Sequence, residues 1–254
     1  MKLTLIGAGP GDPDLITLKG IKALQKAKVV LYDSLAHLSL LEHCPDDCVK
    51  TLVGKRYGKI SCGQDDINNL IVESANQYGE VVRLKGGDSF IFGRGYEEII
   101  FAAQHGIEYE VIPGISSSYS APALAGIPLT SRGLSESFWV ITGTTKDHAL
   151  SGDILLAAQS TATVVILMGM HKLHEIVDIY AGLGKMDEAI SIIQNGSLPE
   201  QKVVTGKISN IQPLVKVSGI SSPAIIVIGA VAALPDLSIE DIQKMIKKQY
   251  LQPE

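Results

Sequence analysis

Cysteine is scarce in this chain: there are three in 254 residues, Cys44, Cys48 and Cys62, an odd number with no CxxC pair. That excludes a disulfide framework and reads most simply as free thiols in a reducing compartment. His43 stands beside Cys44 and Cys48, but the spacing matches no zinc-finger pattern. His171 and His174, three apart, read as a solvated helix face. Long apolar runs are also missing. The longest, residues 224–234, is fenced by Pro223 and Pro235 and reaches about half of the ~20 residues a spanning helix needs. No basic run exceeds Lys247-Lys248, and the formal net charge is −5. The charge argues against general electrostatic attraction to nucleic acid and leaves room for a local basic cleft. The chain opens MKLTLIGAGPG, without the apolar core of a signal peptide, so the expected location is cytoplasmic. No membrane segment, nucleic-acid partner or metal is expected.

With 46% apolar and 19% charged residues, the composition is that of folded globular domains. The length suits two domains of ordinary size. The stretch around which the rest is organised is residues 81–98, VVRLKGGDSFIFGRGYEE. Its first four residues read as a short buried strand. Gly86-Gly87 then form a floor that a bound molecule can approach closely. Gly93-Arg94-Gly95 makes a second turn that presents one guanidinium before a helix starting near Tyr96.

The first half alternates strands at 2–6, 29–32, 49–53 and 109–112 with helices marked by apolar residues three and four apart, the clearest running from Ile67 to Tyr78. Gln64-Asp65-Asp66 place acids at that helix's N-terminus. This βαβα order predicts a parallel sheet covered by helices. A helix stop and turn at 126–133 mark a domain junction. Beyond it, strands are expected at 138–142, 163–168, 189–194, 202–207 and 224–228, with helices near 154–158 and 172–182. The short gap between 194 and 202 predicts a hairpin, and hence a mixed sheet. The tail from Ser238, its N-cap, carries Ile239, Ile242 and Ile246 on one face and reads as a terminal amphipathic helix that docks on the body or on a second subunit. The expected division is an α/β domain at 1–130, a second α/β domain at 131–234 and a helical extension at 235–254.

The N-terminal GAGPGDP invites a dinucleotide-binding reading, since Gly7-x-Gly9 follows a strand and Asp33 ends the next one. Against it, Asp12 puts negative charge where a pyrophosphate would sit. Pro10 and Pro13 delay the helix whose N-terminus would cradle it. A nicotinamide-dependent oxidoreductase stays as an alternative from another reaction class.

GAGPGDPDLITLKG, VLYD, VGKR, RLKGGDSFIFGRGYEE, PGISS, AGIPLTSR, LMGM, QNG and SPAIIVIG follow one another in an order and at intervals that resemble the tetrapyrrole methylase family, over roughly residues 1–234. The most specific piece, GGDSFIFGRGYEE, looks like the GGDPFIFGRGGEE of the branch that C-methylates uroporphyrinogen III. The resemblance implies two α/β domains with S-adenosyl-L-methionine in the cleft between them, commonly in a homodimer. It implies transfer of methyl groups to two pyrrole carbons of uroporphyrinogen III, giving precorrin-2 for siroheme or cobalamin synthesis. On the same resemblance, the donor contacts are Pro10, Gly86, Gly87, Asp88, Ile91, Ser116, Ser117, Met168 and Gly196. Met168 ends a buried strand and, taken alone, reads as a core residue; the adjoining Gly169 turn and its place in the motif raise it.

The family's catalytic positions carry over to Asp33, Lys55, Arg94, Glu97 and Arg132, with Asp33 and Glu97 as bases, Lys55 as proton donor and the arginines gripping substrate carboxylates. Taken as a residue by itself, Glu97 also reads as a solvated acid at a helix N-terminus, and its place in the more specific motif puts it, with Arg94, ahead of Asp33 and Lys55. Three positions depart from the pattern. Ser89 replaces the proline of GGDP, Tyr96 replaces a glycine, and Ser131 stands where many relatives carry histidine. The alternatives are a methylase for a later corrin intermediate, a relative acting on protein or ribosomal RNA, and a non-catalytic S-adenosyl-L-methionine sensor.

Overall fold

The computed structural model describes residues 1–53 and 63–250. They pack as two compact units, Met1–Ser117 and Ser118–Glu254. The first begins with β1 (Lys2–Gly7), α1 (Leu18–Leu24), β2 (Val29–Tyr32) and, after a 3-10 turn at Leu38–His43, β3 (Val49–Leu52). It continues with α2 (Gln64–Tyr78), β4 (Glu80–Lys85), α3 (Gly95–Gln104) and β5 (Glu108–Ile112). All five strands run parallel in the order β3-β2-β4-β1-β5.

A parallel sheet is covered on both faces, so its strands read as continuous apolar runs in which period two sends alternate residues to opposite layers. Leu3, Leu5, Leu31 and Val81 join Ile67, Ile71, Ile99 and Ala102 of α2 and α3 in one layer. Ile6, Val30, Val82 and Leu84 join Leu24 and Leu40 in the other. Each of these valines, leucines and isoleucines contributes about 1.5–3 kcal/mol by leaving water. Helix α2 starts as its acids predict: the Asp66 carboxylate accepts the Gly63 N–H at 2.8 Å, and left-handed Gly79 ends it.

The second unit holds most of α4 (Ser117–Leu124), then β6 (Phe138–Thr142), α5 (Asp153–Gln159), β7 (Thr163–Leu167) and α6 (Leu173–Gly182). It ends with β8 (Ala189–Gln194), β9 (Lys202–Lys207), α7 (Ile211–Ser218), β10 (Ala224–Ile228) and α8 (Ile239–Tyr250). The strand order is β6-β7-β10-β8-β9. β6 and β7 are parallel, and every other pairing is antiparallel, including the expected β8–β9 hairpin. Helix α4 packs here through Ala121, against Val165, Ile193 and Val227. The turn at residues 131–135 closes on itself through Ser131 and Ser135. Ser238 caps α8 by accepting the Asp241 N–H at 3.2 Å. Helix α7 had no counterpart in the sequence reading, because Ile211, Leu214 and Val215 make too short a stripe to separate from loop. Among the described residues, no helix is long and apolar enough to cross a membrane.

Candidate active site

The loops that leave the C-terminal ends of β1, β4 and β5 meet backbone to backbone. Gly9 and Gly87 exchange N–H···O bonds of 3.2 and 2.7 Å, and Ala8 donates to the Lys85 carbonyl at 2.7 Å. Gly114 lies so close that an added Cβ would sit 2.3 Å from the Gly87 oxygen and 2.6 Å from the Gly7 carbonyl carbon. Only glycine fits there. Asp88 ties the bundle together: one carboxylate oxygen accepts the Gly114 N–H at 3.0 Å and the other the Phe90 N–H at 2.8 Å. At Gly87, by contrast, an added Cβ would meet nothing within 4 Å, so that side of the backbone faces open space. Open sheets of this kind receive ligands at these strand ends.

The GAGPGDP loop does not deliver a helix to this place. A 3-10 turn at Pro13–Leu15 follows it, and α1 begins only at Leu18, capped by Thr17. The prolines act as the sequence predicts, and the phosphate-cradle geometry of a dinucleotide fold is absent from this loop.

Beyond Asp88 the chain carries four exposed apolar side chains, Phe90, Ile91, Phe92 and Tyr96, with Phe90 and Tyr96 edge to face at 6.5 Å. Arg94 takes left-handed backbone, φ 59°, and caps α3. Its guanidinium holds Glu97 one turn on, Nε to Oε1 at 2.9 Å and Nη2 to Oε2 at 2.6 Å. That hydrogen bond raises the Arg94 pKa and lowers that of Glu97. The two residues expected to work as substrate grip and base thus pair with each other. Ser89, in the place of a proline, is buried, and its carbonyl accepts the Gly95 N–H at 3.0 Å.

Asp33 follows β2, its N–H donating to the Leu84 carbonyl at 3.0 Å. Its carboxylate, 25% exposed, receives Arg83 Nη2 on Oδ1 at 2.5 Å and lies 4.0 Å from Lys85 Nζ through Oδ2. Arg83, Lys85 and Glu98 behind it are buried. Sequence reading passed over these three. The signal was there: in V-V-R-L-K, period two puts both cations on one face of a strand otherwise built for burial.

The remaining expected residues fall as follows. Lys55 lies outside the described residues. Pro10 is half-buried beside Gly9, Ser116 is buried, and Ser117 opens α4. In the second unit, Arg132 is exposed on the 131–135 turn. Met168 is not a core residue: it is 51% exposed with φ 56°, because the chain turns sharply after β7, with Gly143 donating to the Leu167 carbonyl at 2.7 Å and the Thr144 hydroxyl to that of Met168 at 2.9 Å. Gly196 is required by packing, since a Cβ would lie 2.5 Å from that of Ala121. Cys44 and Cys48 are buried, and burial pushes the Cys44 thiol up to about 11. No cluster of metal-ligating side chains occurs among the described residues.

Residues 2–212 match the family of Tetrapyrrole (Corrin/Porphyrin) Methylases. This chain is a tetrapyrrole methylase. It is 42% identical over 237 residues to the uroporphyrinogen-III C-methyltransferase of Methanocaldococcus jannaschii, covering 92% of this methylase and 98% of that one. A siroheme synthase of Actinobacillus pleuropneumoniae is 44% identical over 234 residues, 92% of this chain but 48% of its own. The methylase spans about half the length of the siroheme synthases it matches. Among solved structures, it is similar to the uroporphyrin-III C-methyl transferase of Thermus thermophilus complexed with S-adenyl homocysteine, with a TM-score of 0.78, 34% identity, and coverage of 92% of this chain and 100% of that one.

Proposed function

We propose that this methylase transfers methyl groups from S-adenosyl-L-methionine to two pyrrole carbons of uroporphyrinogen III, giving precorrin-2 for siroheme or cobalamin synthesis. The observation that carries the reading is the 42% identity extending over nearly the whole Methanocaldococcus enzyme, with GGDSFIFGRGYEE inside it. The donor supplies an already electrophilic methyl group, so the reaction needs no metal. The backbone at Gly86, Gly87 and Asp88 holds the donor, together with Pro10, Ser116, Ser117 and Gly196, while Ile91 and Met168 offer apolar walls. Both Asp88 oxygens are engaged within the loops, so Asp88 serves the donor by shaping the backbone.

Rate comes mostly from holding a ring carbon in line with the methyl group, an effect of up to ~7–11 kcal/mol in favourable intramolecular cases. Asp33 then removes the proton lost as conjugation returns. Lys55 is the proposed proton donor. Arg94 and Arg132 grip acceptor carboxylates through planar forks, Arg94 exchanging Glu97 for substrate. Glu97, released in that exchange, is the second base. A cytoplasmic homodimer is proposed for the assembled enzyme.

The deciding experiment incubates the protein anaerobically with methyl-labelled donor and uroporphyrinogen III. Two methyl groups per acceptor is the expected product. Donor binding without incorporation would assign another acceptor, a later corrin intermediate first.

A further inference from the structure

Among the described residues, Asp33 is the one partly open member of a charge network that is otherwise sealed. Arg83 is 1% exposed, and its fork is spent in three directions: Nε to Glu98 Oε1 at 3.3 Å, Nη1 to the carbonyls of Leu31 and Leu84 at 3.3 and 3.2 Å, and Nη2 to Asp33. Glu98, fully buried on α3, also accepts Lys85 Nζ at 2.8 Å and Gln64 Nε2 of α2 at 3.4 Å, all on Oε1. Its Oε2 is buried without a hydrogen-bond partner among the described residues. Two cations and two carboxylates balance in charge, and burial pushes the Lys85 ammonium down, with Arg83 adding to the effect and Glu98 and Asp33 opposing it.

Stability alone does not account for this arrangement. Removing each ion from water costs several kcal/mol, and well-packed apolar residues of similar volume do as well or better. Leaving a carboxylate oxygen orphaned adds to the cost. What the network achieves is directional. Arg83 is immobilised by two backbone carbonyls and a buried acid, and its remaining Nη2 fixes one oxygen of Asp33 at the C-terminal end of β2; among the described residues, the other oxygen has its ion-pair neighbour in Lys85, 4.0 Å away.

We infer that Arg83 is a positioning residue for the Asp33 carboxylate, that Glu98 positions Arg83 in turn, and that the pair leaves Asp33 Oδ2 as the oxygen that meets the acceptor's proton. This rests on the proposed role of Asp33 as base. Arg83→Lys keeps the charge but loses the fork. Its kcat should fall about tenfold or more, with acceptor KM and the Kd for S-adenosylhomocysteine within about twofold of wild type. Asp33→Glu lengthens the acid and lowers kcat by itself. Coupled neighbours are non-additive, so the double variant should lose clearly less than the product of the two single losses. Losses that multiply, or a loss confined to KM or donor affinity, overturn the inference. Should Arg83→Lys fail to fold, Glu98→Gln decides: it keeps the shape and should show the same kcat-only loss, and unchanged kcat defeats the idea. A wild type that incorporates no methyl groups overturns the functional reading and this inference with it, whereas full incorporation with multiplicative losses removes only the inference.

Discussion

Arg94 and Glu97 hold each other through two hydrogen bonds, at 2.9 and 2.6 Å, on the first turn of the helix that follows the glycine loop. Both side chains are 54% exposed, so the pair contributes little to stability, on the order of 0–1 kcal/mol. A polycarboxylate acceptor can therefore displace Glu97 at small cost. Arg94→Ala should raise the acceptor KM by roughly 10–100-fold, the range of a charged hydrogen bond, while thermal stability changes little. Steady-state kinetics at fixed donor concentration test it. An unchanged KM removes Arg94 from the site.

Met168 separates a binding role from a packing role. A buried methionine truncated to alanine costs about 2–5 kcal/mol. An exposed one costs within about 0.5 kcal/mol. Met168→Ala should leave the unfolding temperature within about 2 °C of wild type and weaken S-adenosylhomocysteine several-fold by calorimetry. A large thermal loss with intact binding would return Met168 to the core.

Gly114 tests the backbone bundle. Alanine there must push the Gly87 carbonyl or the Gly7 backbone aside, an overpacking cost of about 1–3 kcal/mol. Gly114→Ala should lower the unfolding temperature by roughly 3–10 °C and also weaken donor binding, because the displaced loop is the one proposed to hold it. Lost stability with full donor affinity would separate that loop from the donor.

Glu110 offers a pH prediction. On the edge strand β5 its carboxylate meets Lys2 and Lys19, each at 2.6 Å, and these ammonium groups hold its pKa down at about 2. A depressed carboxylate stabilises the fold fully above its unfolded pKa, about 4.3, and loses that contribution as pH falls towards its folded value. Glu110→Gln should thus unfold slightly earlier than wild type at pH 7, with the gap closing between about pH 4.5 and 2. A gap that is constant with pH would show that the ion pairs contribute nothing. The pairs are partly solvated, so a degree or two is the expected size.

Much of the architecture could be read from residue order because it rests on local rules. Period-two burial, glycine stops and the acids before Ile67 locate β1 to β5, α2 and the β8–β9 hairpin, and the spacing of GGD and GRG marks the organising loop. Two kinds of feature escaped. Helix α7 is too short to leave a periodic stripe. The partners of charged residues depend on contacts between segments far apart in the chain: Arg83 lies 50 residues from Asp33 and 15 from Glu98, and no spacing rule joins them.

By itself the chain's order of residues determined the two sheets, the glycine-bearing strand ends and the family, since periodicity, turns and motifs act over a few neighbouring residues. Only the tertiary structure decided that Met168 stands out in solvent and that one buried guanidinium holds Asp33. Those outcomes depend on which backbones approach closely enough to seal a charge or expose a side chain, and that distance exists only once the chain has folded.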